Sequence, residues 1–466
     1  MPFAFQTRLG IAEDQVQTWV STSLAIYAAG VIVGSLVVGA ISDKLGQRRA
    51  FMISGFVVME GATCMLCFPK SLALYMVGRT LQGVSAAIAW GIGFAIISDS
   101  AEPDQVALLM SYPSMGLSLG IFLGPLLGGV MYDRAGYYSV FYLCFGVFGL
   151  DILVRFLMTE KSTLEQKLKK YELYEKKRQE AFGEIMMTTT SHSGSINPGH
   201  ASQSESTMSS DSTIEQSEEE ERQNFSLRHS FRKMTLIQLL QSPRVLNNLF
   251  LTFILVWFSG NLDATMTIHL ADIFNFNSLY SGLMFLAIVA PMVLEPVCGY
   301  VSDKYGGRYL VTAGFIWICP SLMLMWIPHE NTTGHIVMFI AFLVMVGIGF
   351  TLVFTPLMAE MTNAVNEIDR ANPGTLGGGK GFAQAYGLVN IASSLGQIVG
   401  PYQGGAVMSR YGWGINVLIM GLLALVAAVP GFLLTGGKEP PSHSSNSLTP
   451  ENSDPQIPLQ SESIDD

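Results

Sequence analysis

Long apolar runs separated by short polar connections dominate the sequence, and each run is close to the length of one membrane-spanning helix. A bilayer core about 30 Å thick requires roughly 20 mostly apolar helical residues. Lipid offers backbone amides no partner, and the runs are about twice as long as a barrel strand, so helices are expected. Eleven runs qualify, at 18–40, 51–68, 72–98, 106–131, 138–158, 245–271, 278–301, 309–328, 335–359, 380–408 and 413–435.

The composition agrees with a membrane protein. The 466 residues are 49% hydrophobic and 13% charged, whereas an ordinary soluble domain is about 25% charged. Residues 159–243 and 437–466 hold 31 of the 62 charged residues, so the remainder is very apolar. Nucleic-acid binding needs clustered Lys and Arg, and the net charge of -10 argues against it. The lipid bilayer is therefore a predicted partner, and nucleic acid is not.

The sequence also argues against an enzyme or a metal protein. All five cysteines lie inside apolar runs, and the CxxC pair Cys64 and Cys67 has no second pair that would complete a zinc site, so a structural role is expected. No GxxxxGK[ST] nucleotide loop and no spaced Ser, His and Asp set occurs. We therefore expect no cofactor, no metal and no catalytic residues.

The short loops predict an orientation. Lys and Arg follow the first and seventh runs and open the central loop, at Lys44, Arg48, Arg49, Lys304, Arg308 and Lys161 to Arg178. The positive-inside rule places these loops in the cytoplasm, together with the C-terminus. The sequon at Asn331 then falls on the opposite side, where it is a candidate for glycosylation.

Two motifs occur twice in the same order. The segment 39–48, GAISDKLGQR, is echoed by 299–308, GYVSDKYGGR, and GPLLGG at 124–129 is echoed by GPYQGG at 400–405. Duplicated helix bundles with a central binding site are typical of secondary transporters.

The repeats predict four regions. These are an N-terminal bundle of five spans (1–158), a largely disordered cytoplasmic loop (159–243), a C-terminal bundle of six spans (244–436) and a disordered cytoplasmic tail (437–466). Only residues 1–17 precede the first span, whereas the second half has a full span before its copy of the loop motif. The first half is therefore expected to lack one helix.

The GxxSDxxGxR loop, the segment Arg79-Thr-Leu-Gln82-Gly83 and the GPxxGG helix together resemble the major facilitator superfamily. Within it, the chain is similar to fungal members of the proton-coupled drug and vesicular amine transporter branch. The resemblance implies an all-α integral membrane fold of two pseudo-symmetric bundles with about 11 transmembrane helices, five and six. It also implies a monomeric antiporter that exchanges protons for a small organic solute, in the plasma or a vacuolar membrane. A transport-incompetent relative, either a truncated product or a solute sensor, is the alternative.

In such proteins the 39–49 loop acts as a cytoplasmic latch. Its glycines permit a tight turn, and its Asp can lie at a helix N-terminus or pair with a nearby Arg. The resemblance assigns this role to Asp43, Gly46, Arg48 and Arg49, with a weaker copy at Asp303 and Arg308. Glu295, close to the second copy, is a further candidate latch partner. The alternative is a loop that only sets membrane orientation.

The antiporter-type helix motif consists of Gly124, Pro125, Gly128 and Gly129, with Gly400 and Pro401 in the second copy. Small residues let helices approach closely, and Pro bends the axis. The resemblance associates the motif with exchangers and with sealing against ion leak. Generic helix packing is the alternative.

Proton coupling is predicted at Asp263 and Arg79, because charges inside a span are costly unless they are paired or face water. Gln82, one turn after Arg79, can share its helical face. The alternatives are a structural ion pair for Arg79 and a solvated outer position for Asp263.

Asn390 stands where the amine transporters have an acidic residue, so a solute other than a monoamine is expected. The predicted substrate cavity comprises Gln82, Trp90, Asn261, Tyr386 and Asn390.

Overall fold

The computed structural model describes residues 11–45, 48–102, 104–157, 236–276, 278–371, 376 and 381–436. Within these ranges the secondary structure is helical, without strands. The α-helices are α1 (Glu13–Leu45), α2 (Arg48–Cys67), α3 (Leu72–Ser100), α4 (Val106–Ala135), α5 (Tyr137–Leu157), α6 (Pro243–Phe274), α7 (Ser278–Val289), α8 (Glu295–Tyr305), α9 (Gly307–Leu324), α10 (Thr333–Ala371) and α11 (Phe382–Leu434). A 3-10 segment, Ala290–Leu294, joins α7 to α8.

Nine helices in the described part of the chain are long and apolar enough to cross a membrane. This number is smaller than the eleven predicted because α11 counts once and only Val106–Gly120 of α4 is counted, as a shorter apolar helix. At 53 residues, α11 is too long for one crossing, and non-helical backbone angles at Gly412 divide it into two arms. The predicted all-α integral membrane fold is confirmed, and the predicted runs coincide with these helices, the seventh run with α7, the 3-10 segment and α8 together.

Local sequence explains where several helices begin and end. Ser71 caps α3 by accepting a hydrogen bond from the Leu74 amide, and Ser242 caps α6 through the Val245 amide. Pro243 follows at the first position of α6, where its missing N–H costs nothing. Asn275 ends α6 in the left-handed conformation that Asn tolerates.

We call α1–α5 the first group and α6–α11 the second group, following the two halves that the repeated motifs mark. Helix α3 packs against α1 and α2, while α11 packs against α6 and α9. The groups also meet: α11 contacts α1 and α3, and α8 contacts α4. Large apolar side chains such as Tyr142, Leu150 and Tyr402 remain exposed, which suits a surface in contact with lipid.

Most of the predicted central loop, residues 158–235, and the predicted tail from residue 437 lie outside the described residues. The last part of the loop is folded. Residues 236–241 are helical, and Leu239 is fully buried in the same apolar core as Val245. Residues 236–241, which the prediction assigned to the central loop, therefore pack with the second group.

Candidate functional site

Asp43 of the first group caps the N-terminus of α11 in the second group. Its Oδ1 accepts a hydrogen bond from the Ala383 amide at 3.3 Å, and its Oδ2 accepts one from the Gln384 amide at 3.0 Å. A helix N-terminus carries unpaired N–H groups and a partial positive charge, so a carboxylate is stabilised there. Arg48 lies 3.5 Å from Asp43 and 2.7 Å from Asp99, which adds a cation to the contact.

Asp303 makes the reciprocal contact. Its two carboxylate oxygens accept hydrogen bonds from the Ala107 and Leu108 amides at the start of α4, both at 2.8 Å. Thus each group supplies one aspartate that caps a helix of the other group. We call the end of the protein that carries Asp43 and Asp303 the capped end, and the end that carries Asn331 the sequon end.

Two glycines allow the helices to approach at these caps. A Cβ atom added at Gly39 would lie 2.9 Å from the Ala383 carbonyl oxygen, and one at Gly299 would lie 2.6 Å from the Ala107 carbonyl oxygen. Real Cβ contacts are longer, and the obstructing atoms are backbone atoms. Each glycine lies four residues before its aspartate, so the spacing in the repeated motif serves one contact.

The other predicted residues of this loop are placed differently. Among the described residues Arg308 binds partners other than Asp303: its Nε donates to the Thr435 carbonyl at 2.8 Å, and its guanidinium lies 6.0 Å from the Phe432 ring. Arg308 therefore fixes the end of α11 within its own group. Gly46 and the side chain of Arg49 lie outside the described residues.

Next to the caps lies a buried cluster that joins α3, α10 and α11, formed by Phe94, Ser98, Thr362 and Tyr386. The Tyr386 side chain is 1% exposed, and its hydroxyl is 2.8 Å from both the Thr362 hydroxyl and the Met358 carbonyl. The Ser98 and Thr362 hydroxyls are also 2.8 Å apart. Phe94 stacks on the Tyr386 ring with centroids 5.2 Å apart. Tyr386, a predicted cavity residue, is therefore enclosed in this Tyr386 cluster.

Two further predicted cavity residues lie beside this cluster at the contact between the groups. Trp90 stacks on Phe94 with ring centroids 5.8 Å apart. Asn390 on α11 is half-buried, and its Nδ2 is 3.5 Å from the Ala87 carbonyl of α3.

Arg79 is buried within the first group. Its Nη1 donates to Gln82 Oε1 at 2.9 Å, and its guanidinium lies 5.4 Å from the Tyr27 ring centroid. Gln82 in turn donates to the Thr63 hydroxyl at 3.3 Å. The structure therefore places Arg79 and Gln82 on one helical face and connects them to α1 and α2.

Asp263 and Asn261 point to different surroundings, as residues two apart on a helix do. The Asp263 side chain is exposed at the surface of the structure and is hydrogen-bonded to the Gln397 side chain of α11. Asn261 is fully buried; its Nδ2 donates to Gln403 Oε1 at 2.8 Å, and its Oδ1 accepts from Asn416 Nδ2 at 2.8 Å. Asn261 thus binds the two arms of α11 to α6, whereas Asp263 is the accessible group.

The two copies of the glycine and proline motif have unequal surroundings. A Cβ at Gly400 would lie 2.5 Å from the Trp257 carbonyl oxygen of α6, so this copy packs directly against its neighbour. A Cβ at Gly124 would meet no described atom within 4 Å, and one at Gly128 would meet only a Val140 methyl at 3.8 Å. The side chain of Pro125 and the surroundings of Gly129 lie outside the described residues. Pro401 contacts the Gly260 position of α6.

Sequence reasoning missed an ionic cluster at the capped end. Arg244 at the start of α6 pairs with Glu360 and Glu367 of α10. Glu360 is 3% exposed and also accepts a hydrogen bond from the Gly436 amide at 2.8 Å. These residues are over a hundred positions apart in the chain, and no local motif marks them.

The remaining predictions concern the surface and metals. Asn331 is exposed between α9 and α10, with its Nδ2 3.3 Å from the Phe274 carbonyl. Across the described ranges, no group of three or more His, Cys, Asp or Glu residues could hold a metal ion.

Comparisons with known proteins bear on the family and the fold of the chain. The sequence profile of the Major Facilitator Superfamily matches residues 1–373. The MFS-type transporter ppzB of Metarhizium rileyi is 28% identical over 443 residues, which cover 94% of this chain and 90% of that protein. The uncharacterized MFS-type transporter C18.02 of Schizosaccharomyces pombe is also 28% identical, over 92% of this chain and 89% of its own length.

A solved structure has a similar fold. The human organic anion transporter MFSD10 (TETRAN) matches with a TM-score of 0.58 and 16% sequence identity, over 92% of this chain and 87% of that chain. The relatives are transporters and not enzymes. With an all-helical membrane fold, reciprocal caps and a family match over most of its length, the chain belongs to the Major Facilitator Superfamily of transporters.

Proposed function

We propose that this chain is a proton-coupled antiporter that exports or sequesters a small organic solute by alternating access. One observation carries the proposal: the two helix groups are held together at one end by the reciprocal caps of Asp43 and Asp303. Alternating access requires two bodies that separate at one end while they close at the other. A contact made of a few charged hydrogen bonds between bodies is reversible, which suits a latch.

The capped end is proposed to face the cytoplasm. The junctions between α1 and α2 and between α8 and α9 carry Lys44, Arg48, Arg49, Lys304 and Arg308, and the positive-inside rule places such junctions in the cytoplasm. Asn331 then lies on the outer or lumenal side. In this orientation the structure corresponds to a state closed toward the cytoplasm, with the Tyr386 cluster beside the latch.

Asp263 is the proposed proton-binding group. It lies 20 residues into α6, about 30 Å from the capped end of that helix and about 16 Å from its other end. Its side chain is exposed and is hydrogen-bonded to neutral Gln397, and a proton or a solute is proposed to reach it from the sequon end. Arg79, about 10 Å from the sequon end of α3, supplies a buried cation at similar depth in the first group. Proton binding and solute binding at Asp263 are proposed to exclude each other.

Reconstituted vesicles with an imposed pH gradient test this proposal. Ethidium serves as a cationic probe and fluorescein as an anionic probe, with a trapped pH dye reporting proton movement. We expect probe-dependent proton flux that falls at least tenfold in Asp263→Asn and in Arg79→Gln. Asp272→Asn is the matched control, because Asp272 is an exposed carboxylate on the same helix, and it should retain wild-type flux.

The same vesicle experiment also distinguishes a proton-coupled transporter from a transport-incompetent solute sensor. Flux of a probe that does not depend on the gradient would overturn proton coupling but retain transport. Saturable probe binding without any flux would favour a membrane solute sensor.

A further inference from the structure

The seventh predicted span is interrupted in its middle. Helix α7 ends at Val289, the 3-10 segment Ala290–Leu294 follows, and α8 begins at Glu295. Pro291 lies within the 3-10 segment and Pro296 follows Glu295 in α8, so two backbone donors are missing at the break. Short 3-10 stretches within helices often mark hinges, and broken helices in transporters often present a half-helix N-terminus to a binding group.

Glu295 is the first residue of α8, directly after this break, and is completely buried. Its Oε1 accepts a hydrogen bond from the Ser118 hydroxyl at 3.0 Å, and its Oε2 accepts one from the Thr355 hydroxyl at 3.2 Å. Ser118 lies on α4 of the first group and Thr355 on α10 of the second group. The carboxyl group therefore connects the two helix groups.

The same face of α8 carries the cap. Glu295, Gly299 and Asp303 are spaced four residues apart, so they form one stripe along the helix. All three touch α4: Glu295 at Ser118, Gly299 at Ala107, and Asp303 at the helix N-terminus. Separation of α8 from α4 at the cap would therefore open the path to Glu295.

The first copy of this stripe differs at one position. Ser35, Gly39 and Asp43 of α1 have the same spacing, with Gly39 and Asp43 facing α11. Ser35 is buried, and its carbonyl lies against Gly387 of α11. The chain thus places a carboxyl group at only one of the two equivalent contacts, so packing alone does not require it.

Apart from the N-terminus of α8, on which it lies, the described groups around Glu295 do not compensate its charge. On its own helix the titratable neighbour is Cys298, and Asp303 follows two turns later. From α4 and α10 it meets hydroxyl groups, while Glu360, five residues after Thr355, is paired with Arg244. The described residues provide no cation at ion-pair distance from Glu295. Burial of an unpaired carboxylate is costly, whereas a protonated one needs only the hydroxyl partners it has.

We propose that Glu295 is a second proton-binding site, which holds a proton while the capped end is closed and releases it when α8 separates from α4. This inference rests on the proposed function and adds a site of proton release toward the cytoplasm. Asp263 would load the proton from the sequon end, and Glu295 would make closure of the capped end depend on protonation.

Distance measurements across the capped end test this inference without any solute. Bioorthogonal spin labels at Ser100 and Ala371, which are exposed and end α3 and α10, report separation of the groups in lipid nanodiscs. In the wild type, the ratio of open to closed states should increase as the pH is raised through the titration of Glu295. The increase should be at most tenfold per pH unit, because opening releases one proton. Glu295→Gln, which is neutral at every pH, should remain closed with no such slope. An unchanged slope in Glu295→Gln overturns the inference.

A second variant tests the inference in case Glu295→Gln does not fold. Ser118→Ala removes one hydroxyl partner but keeps the carboxyl group, so the slope should persist while the midpoint pH shifts. Loss of the slope in Ser118→Ala, or identical midpoints, would overturn the role of the contact. The vesicle assay tests the proposed antiport independently of the distance measurements. If proton flux is absent but the Glu295-dependent slope of the open-to-closed ratio is present, antiport alone is rejected. If proton-coupled flux is present but that slope is absent, the release site at Glu295 alone is rejected.

Discussion

The two duplicated motifs of this chain differ in whether their two copies make equivalent contacts in the structure. Both copies of the loop motif make the same contact, since Asp43 caps α11 and Asp303 caps α4. The two copies of the glycine and proline motif do not: Gly400 packs against α6, whereas the Gly124 position meets no described atom within 4 Å. A repeat in sequence is therefore not always a repeat in contacts.

The difference arises from where each motif finds its partner. The aspartate of each loop binds a helix of the other group, so each copy has an equivalent partner. The glycine stripe of α11 binds a helix of its own group, where Gly396, Gly400 and Gly404 face successive turns of α6. In the described part of the first group, no helix takes the place that α6 has beside α11.

The largest expected effect separates the two glycine copies. Gly400→Ala would place a Cβ atom 2.5 Å from the Trp257 carbonyl and 2.9 Å from the Asn261 amide nitrogen. Both are backbone atoms, so overpacking should destabilise the protein by about 1–3 kcal/mol. Gly124→Ala meets open space and should stabilise its helix by up to about 1 kcal/mol. Thermal unfolding in detergent, followed by helical circular dichroism, measures both variants.

Equal melting temperatures for Gly400→Ala and Gly124→Ala would contradict the unequal packing. Gly334→Ala is the control for a glycine that faces open space outside both motifs, in the first turn of α10.

The next effect distinguishes the two caps. Asp43→Asn removes the charge that binds the α11 N-terminus and also the pair with Arg48, whereas Asp303→Asn removes only a charged cap. A hydrogen bond to a charged group contributes about 1.5–3 kcal/mol and a neutral one about 0.5–1.5 kcal/mol, so Asn, which keeps a neutral oxygen acceptor, loses only part of each cap. A loss of about 1.4 kcal/mol is a tenfold change in an equilibrium constant. We expect the open fraction at the capped end to rise about tenfold in Asp43→Asn and about threefold in Asp303→Asn. The Ser100 and Ala371 labels measure it, with Asp272→Asn as the exposed control.

A larger effect of Asp303→Asn would reverse the order of the two caps. It would mean that the shorter hydrogen bonds of Asp303, both 2.8 Å, outweigh the nearby Arg48.

Helix positions could be predicted from the sequence because length and hydropathy are local properties. The repeated loop could be predicted because its glycine and aspartate keep one spacing. The partners of Asp43 could not, since they are backbone amides of Ala383 and Gln384, about 340 positions away. A backbone N–H group has no sequence signature.

The side chains predicted to line the cavity show a second limit of prediction from the sequence. Helical spacing indicates which residues share a face but not what that face meets. Tyr386 and Asn261 are polar residues in apolar helices, a pattern that fits a cavity wall equally well as a buried network. The structure places both in buried networks, whereas Asp263, two residues from Asn261, is accessible.

The smallest expected effect concerns the arginines of the two loop copies. Arg48 is 6% exposed and lies between Asp43 and Asp99, whereas Arg308 binds the Thr435 carbonyl. Asp99 is partly exposed, so the network with Arg48 should contribute only about 0.5–1 kcal/mol to the closed state. Arg48→Gln should therefore raise the open fraction two- to fivefold, and Arg308→Gln should leave it unchanged.

In a double-mutant cycle, Arg48→Gln should have no further effect when Asp43 is already Asn, because the pair is then lost. Additive effects would instead show that Arg48 acts through Asp99 alone, and the two caps would then differ less than the structure indicates.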